Sequence, residues 1–416
     1  MKLGVIADDF TGATDIAGFL VENGLATIQF SGIPAEADLT GVDAVVISLK
    51  SRSCPAHEAV RDSLAALEWL KARGCPRIYQ KYCSTFDSTA AGNIGPVTDA
   101  LLDALDSQFT LICPALPVNG RTVYQGNLFV GSQPLSESGM RHHPITPMTD
   151  SNLLRLMEAQ TQGRAGLVPF TTIAQGPQAI EQAFEQLAAE GVRYAVVDTL
   201  TEQHLLDIAA AAIDMPLVTG GSGLAIGLAR LLSSGNQAAA RQAGRPLGKR
   251  AVVLSGSCSE MTNRQVACYR ATAPSLALDV SACLNRSDYP AELAGWVLSQ
   301  SATPAPMIHA TTSPSELAAI QARYGREAAS EAVEHCFAQV AVLLRDAGVD
   351  SFIIAGGETS SRITQALGIA AFHIGPQIAP GVPWVRATDA PLSLALKSGN
   401  FGDETFFSRA QEFFHD

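Results

Sequence analysis

Four polar clusters in the first 122 residues hold side chains that could do chemistry together. They are Asp8-Asp9-Phe10-Thr11-Gly12, Lys50-Ser51-Arg52-Ser53, Lys81 to Ser88 (KYCSTFDS) and Asn119-Gly120-Arg121-Thr122. Each follows an apolar run that reads as a strand. In open parallel sheets, ligands bind beyond the carboxyl ends of the strands, so all four clusters can line one rim. Asp8, Asp9 and Asp87 are the candidates for taking a proton from a substrate hydroxyl. Side chains alternate faces near a strand end, so Asp8 and Asp9 are expected to point differently. Asp8 comes first after the apolar run and is favoured, with Asp87 in reserve. Thr11, Arg52, Lys81, Ser84 and Arg121 are candidate substrate contacts. This inventory suits a small polyhydroxy carboxylate, because Arg grips a carboxylate with two parallel hydrogen bonds and Lys adds a point charge. Plainer roles stand beside these. Asp9 or Thr11 could cap the first helix, Arg52 could pair with Glu58 on the surface, and Lys81 could lie outside the pocket.

The C-terminal half carries a different chemistry. Ser255-Gly256-Ser257, then Gly356-Gly357-Glu358-Thr359-Ser360-Ser361, then Ser398-Gly399-Asn400-Phe401-Gly402 each follow a strand-like run. Glycine lets phosphate approach the backbone, and free N–H groups at a helix start favour anions. The three turns form a candidate nucleotide cradle. There is no GxxxxGK[ST] loop and no GxGxxG fingerprint. Ordinary tight turns with helix caps would use the same residue types. Gly220-Gly221-Ser222-Gly223 closes a strand of the first domain and could face the interdomain cleft or be a packing turn at a helix start. His143, in the run His142-His143-Pro144, is a candidate lid or substrate contact. Two adjacent histidines without a third ligand make a poor metal site, and no metal-binding residues are assigned.

Strand-like and helical stretches alternate, which implies mainly parallel sheets flanked by helices, an α/β chain. Strands are expected at 3–7, 44–49, 77–82, 109–115, 194–199 and 216–221, then at 251–257, 351–357, 372–375 and 394–399. Helices are expected over about 12–23, after Pro55 with Val60, Leu64 and Leu67 on one face, and over about 95–105. Residues 117–150, rich in Pro, Gly, Ser and His, read as one long irregular segment, functional or a lid. The polar stretch 236–250 reads as a linker between a first domain, 1–235, and a second, 251–416.

Bulk properties narrow the classes. Hydrophobic residues are 47% and charged residues 16%, which fits large cores rather than disorder. The formal net charge of −12 argues against nucleic acid as a partner, since that needs a basic face. No apolar run is long enough to span a membrane. The N-terminus reads as a strand rather than a signal peptide, so a cytoplasmic location is expected. The eight cysteines are scattered without a CxxC pair and read as reduced thiols.

The same residues carry a resemblance. The segments IADDFTGATD (6–15), SLKSRS (48–53), KYCSTFDSTAAGNIGPV (81–97), PALPVNGRTV (114–123), HPITPM (143–148), VTGGSG (218–223), LSGSCS (254–259), AGGETSS (355–361), IAPGVPW (378–384) and LKSGNFG (396–402) resemble the four-carbon acid sugar kinases. They run in order along nearly the whole chain, and the wording is nearest to the 3-oxo-tetronate 4-kinases of that family. The resemblance implies an N-terminal acid-sugar domain and a C-terminal ATP domain, with catalysis in the cleft between them. It extends the cradle to Ser259. It also implies transfer of the ATP γ-phosphoryl to a terminal O4 hydroxyl, with Mg²⁺ arriving with ATP. For that reaction Asp8, by its place directly after the apolar run, is read as base or as a Mg²⁺-side contact. Rivals are a D-threonate or D-erythronate kinase, an acid-sugar dehydrogenase, which the missing GxGxxG disfavours, and a non-catalytic acid-sugar binding protein. Oligomeric state is left open.

Overall fold

The first strand, β1 (Leu3–Ala7), is buried at every position and lies inside a parallel sheet. The computed structural model describes residues 1–143 and 145–414, so Pro144 of the HPITPM segment lies outside the described residues. The chain divides into two units, Met1–Ala240 and Arg241–Asp416.

In the first unit the strands are β2 (Thr27–Ser31), β3 (Ala44–Ser48), β4 (Ile78–Lys81), β5 (Thr110–Cys113), β6 (Arg121–Tyr124), β7 (Asn127–Val130), β8 (Gln133–Pro134), β9 (Arg164–Val168), β10 (Val192–Val197) and β11 (Leu217–Gly220). The main sheet runs β2-β3-β1-β4-β11-β5-β10-β9, all parallel. Parallel strands covered on both faces read as continuous apolar runs, as LGVIA and AVVIS do. The order turns at β1, with β3 on one side and β4 on the other. A crevice opens at such a switch point, and Asp8 and Asp9 sit on it.

The helix Phe10–Glu22 starts two residues earlier than the apolar pattern suggests, because Asp9 is its N-cap and accepts from the Gly12 N–H at 3.2 Å. Ala13, Ile16, Ala17 and Leu20 are buried at i, i+3, i+4, i+7 spacing. The helix Ala56–Lys71 buries Ala59, Ser63, Ala66, Leu67 and Leu70, while Val60 and Leu64 are only half-buried. The stripe is set by contact with the sheet. A Cβ on Gly4 would stand 2.8 Å from the Leu70 methyls, so the helix lies close to β1.

Residues 117–150 depart from the expected irregular segment. β6, β7 and β8 form a small antiparallel sheet. Gln125 and Gly126, both at positive φ (50° and 72°), make the two-residue turn between β6 and β7. Alternating RTVY and NLFV around that turn is hairpin chemistry, outweighed in the sequence by the Gly, Pro and Ser content. Asp198, fully buried, accepts from the N–H groups of Gln125, Gly126 and Phe170 at 2.8–2.9 Å and pins the hairpin to the end of β10.

The second unit has β12 (Ala251–Ser255), β13 (Ser275–Ala277), β14 (Met307–His309), β15 (Ser351–Ala355), β16 (Ala371–Ala379), β17 (Val382–Ala387) and β18 (Ser393–Lys397). Their order is β13-β14-β12-β15-β18-β17-β16, parallel as far as β18 and antiparallel from there. Val253, Ile353, Trp384, Ala395, Phe406 and Phe407 share its core. Stretch 236–250 is not extended throughout, since Gln237–Gln242 is helical and the division between units falls inside it. Among the described residues no helix is long and apolar enough to cross a membrane, and all eight cysteines are free.

Candidate active site

Three neighbouring strand ends bring the first rim together. Arg52, after β3, donates from Nε and Nη2 to the two oxygens of Asp8 at 2.8 Å each, and Nη2 also reaches Asp9 Oδ1 at 2.7 Å. The backbone repeats the link, with Ser51 N–H and Arg52 N–H both donating to the Asp8 carbonyl. Asn93 fixes the loop that carries Arg52, donating from Nδ2 to the carbonyls of Ser51 (2.7 Å) and Cys54 (2.8 Å). Lys81, the last residue of β4, is only 3% exposed. Its ammonium lies against the first turn of the Phe10–Glu22 helix, 2.5 Å from where a Gly12 Cβ would stand. A side chain at Gly12 would push on that ammonium and on the Asp9 carboxylate.

Charge is divided unevenly within this group. Burial raises the Asp8 carboxyl above its usual value, and the Arg52 guanidinium opposes the rise. Burial also works against ionised Asp9, but Arg52, Lys81 and the bonds from Thr11 (3.0 Å) and Gly12 outweigh it and hold Asp9 low. Arg52 itself is held more firmly protonated, because Asp8 and Asp9 overcome the cost of its burial. Asp8 and Asp9 thus have their oxygens engaged by protein donors, and Thr11 serves the Asp9 cap.

Asp87 lines the same small pocket as Asp8, Arg52, Lys81 and Asn93. Thr85 donates to it at 2.7 Å. The loop turns at Phe86, whose left-handed backbone (φ 49°) is held by complete burial and an edge contact with Tyr82. Ser84 packs its backbone beside Gly221. Arg121 donates from Nη1 to the Asn119 carbonyl at 2.8 Å, while its Nε is buried without a partner. His143 accepts the Thr146 N–H on Nδ1 at 3.0 Å, and among the described residues no hydrogen bond or ion pair joins it to this rim.

Asp15, which ends the segment IADDFTGATD but is not among the candidate site residues, and Ser222, from the Gly220 to Gly223 turn, are further members of the rim. Ser222 donates to Asp15 Oδ2 at 2.5 Å, and Asp15 Oδ1 is buried without a partner. Burial raises the Asp15 carboxyl to about 6, against the pull of Lys81 and the Ser222 bond. The glycines around Ser222 are packing residues. Side chains on Gly220, Gly221 or Gly223 would collide with the carbonyls of Cys113, Pro114 and Ala115. That close approach is what carries Ser222 to Asp15. A signal existed in the sequence, since Asp15 lies three and four residues beyond Gly12 and Thr11, on one helix face.

The second unit gathers its three Gly- and Ser-rich turns at the ends of β12, β15 and β18. Gly256 N–H and Ser257 N–H donate to the Ala355 carbonyl, and Gly356 N–H to that of Lys397. Side chains on Gly256 or Gly356 would strike Thr359, and one on Gly399 would press on Ser257 and Ser259. The helix Gly357–Ala366 begins with no side-chain cap after Gly356 at φ 127°, so its first N–H groups remain for an anion. Glu358 is exposed, Thr359 and Ser360 are buried, and Ser361 is half-buried. Ser259 caps the helix Glu260–Arg270, Asn400 Oδ1 is 3.5 Å from the Met261 N–H, and Gly402 (φ 77°) turns beside Phe406. Ser255 shares a 2.7 Å hydroxyl bond with Thr311, which also donates to the Ser257 carbonyl. Lys397 is fully buried behind these turns. Its Nζ donates to Thr262 Oγ1 (3.0 Å) and to the carbonyls of Ser398 (3.1 Å) and Gly399 (2.7 Å). Burial pulls its pKa down to about 7.

Comparison with known proteins accords with this division. Residues 3–228 match a sugar-binding N-terminal domain and residues 252–407 a nucleotide-binding C-terminal domain. A Salmonella typhimurium protein named 3-oxo-tetronate kinase is 62% identical over 417 residues, covering 100% of this chain and 99% of its own. A Pectobacterium atrosepticum protein of the same name is 62% identical over 421 residues, again with 100% and 99% covered. A crystal structure from Salmonella typhimurium LT2, bearing a tRNA synthase name, superposes with a TM-score of 0.95 at 62% identity, covering 100% of both chains. With both domains and full-length relatives matched, the chain belongs to the four-carbon acid sugar kinase family.

Proposed function

We propose that this kinase transfers the γ-phosphoryl group of ATP to the O4 hydroxyl of a 3-oxo-tetronate, with the acid held by a first domain (residues 1–235) and ATP by a second (251–416). The observation that carries the substrate is the 62% identity, along the whole chain, to relatives named for that activity. The chemistry of the rim supports it. Arg52 Nη1, Lys81 and Arg121 offer positive charge for a carboxylate, and Thr11 and Ser84 offer polar contacts for the rest of a short polyol, with His143 read as a contact from outside the rim. For ATP, the reading uses Ser255, Gly256, Ser257, Ser259, Gly356 to Ser361, Gly399, Asn400 and Gly402.

Phosphoryl transfer needs positioning and charge neutralisation more than covalent chemistry. Mg²⁺ takes phosphate and water oxygens with one or two carboxylates. Asp8, with both oxygens on Arg52, is less available as a metal ligand or as a base, since each role needs a free lone pair. Its cysteines are free thiols, as in a reducing cytoplasm. ADP release measured across 3-oxo-tetronates, threonate and erythronate tests the assignment. A preference for threonate or erythronate would move the protein to a sister activity of the family. The tRNA synthase name of the structural relative suggests RNA, which the net charge of −12 disfavours.

A further inference from the structure

We infer that Asp15 is the residue that takes the proton of the attacking hydroxyl, with Ser222 as the residue that orients it. The inference rests on the kinase reading above. It also stands on a comparison of the carboxylates in one rim. Asp8 has both oxygens bonded by Arg52, at 2.8 Å each. Asp9 accepts from Arg52, Thr11 and the Gly12 N–H, and it caps a helix. Asp87 likewise receives one hydroxyl bond, from Thr85, but has no oxygen that is both buried and without a partner. Asp15 receives a single hydroxyl bond, from Ser222, and Oδ1 has no partner although it is buried. A buried acceptor left empty costs free energy, so such an atom calls for a ligand or a proton.

The surroundings fit an incoming hydroxyl. Lys81, Asp9 and Arg121 are the charged groups that act on Asp15, from β4, the β1 loop and β6, and the Tyr79 hydroxyl of β4 is also within reach of its charge. Arg121 Nε is likewise buried and unpartnered. An acceptor and a donor, both empty, therefore stand in the same neighbourhood. A carboxyl at about 6 is ionised at neutral pH yet basic enough to share a proton. In the transfer, the O4–H bond breaks and its proton passes to the Asp15 carboxylate. The O4–P bond forms as the bond from phosphorus to the β,γ-bridging oxygen breaks, and ADP leaves with that electron pair.

The test is the pH profile of kcat for the wild type, Asp15→Asn and Ser222→Ala, followed by ADP release. Wild-type turnover of the acid sugar checks the kinase reading by itself. The inference expects an acid limb near pH 6 in the wild type. Asp15→Asn should lose roughly a hundredfold or more in kcat, and the limb, while KM for ATP stays within about twofold. Ser222→Ala removes a bond that favours the charged carboxylate, so its limb should move to higher pH. An Asp15→Asn enzyme that keeps the wild-type limb overturns the inference, whatever its kcat. If that variant does not fold, Ser222→Ala decides, and an unmoved limb is the contrary result.

Discussion

Arg52 meets Asp8 fork to fork, two hydrogen bonds of 2.8 Å joining residues 44 positions apart in the chain. The pair closes the two loops on either side of the sheet's switch point. Its side chains are 25% and 18% exposed, between the surface and fully buried cases. Arg52→Ala would leave Asp8 and Asp9 repelling each other with little water to screen them. We expect a stability loss of about 2–4 kcal/mol in urea titrations. KM should rise far more for the acid than for ATP. Arg52→Lys should not restore it, because a lysine cannot supply the fork. An unchanged acid KM in Arg52→Ala would remove this residue from the site.

Gly356 tests the nucleotide cradle. It sits at φ 127°, and a Cβ there would stand 2.9 Å from Thr359 Oγ1 and 3.2 Å from Ser257 N. Gly356→Ala should weaken ATP binding by about tenfold or more, measured by calorimetry, and leave acid binding alone. Normal ATP affinity in the folded variant would contradict the placement.

Lys397 makes the stability of the second unit depend on pH. Its pKa is lowered by burial to about 7 from an ordinary 10.5. Between those values the unfolded chain binds more protons than the folded one, so stability rises with pH across that window. Lys397→Met removes this dependence but also strands the carbonyls of Ser398 and Gly399. The variant should be less stable throughout. The gap between wild type and variant should widen by on the order of 1–2 kcal/mol from pH 7 to pH 9. Denaturant midpoints at the two pH values check it.

Asp15 should trade stability for function. Its carboxyl is raised to about 6 from 3.8, so the folded state binds more protons in that window and loses stability as pH climbs through it. Asp15→Asn should therefore be more stable than the wild type at pH 7, by on the order of 2 kcal/mol, and the gain should vanish below about pH 4. Thermal melts at pH 4 and pH 7 give the comparison.

The parallel strands and the rim were legible because apolar runs ending in polar clusters leave few other folds open. Asp8, Arg52 and Lys81 could be placed at successive strand ends from that pattern alone, and the order β3-β1-β4 makes those ends neighbours. Their mutual bonds could not, since whether Arg52 faces a substrate or Asp8 depends on loop geometry. Asp15 reads as one more residue of an amphipathic helix, and its partner Ser222 is 207 residues away. The close approach of residues 220–223 to residues 113–115, with the packing of helix Phe10–Glu22 on helix Leu224–Leu232, brings the two together. Lys397 ends a strand-like run and gives no sign of burial, because a strand covered on both faces shows no alternation. In the 117–150 segment, composition obscured a hairpin that its alternation and Gln-Gly turn encode.

Phosphorylation of a four-carbon 3-oxo acid is read out by ADP release with ATP across an acid panel. A 3-oxo-tetronate should be turned over with kcat/KM roughly tenfold or more above threonate and erythronate. Equal, background-level release on every acid in the panel would contradict the account.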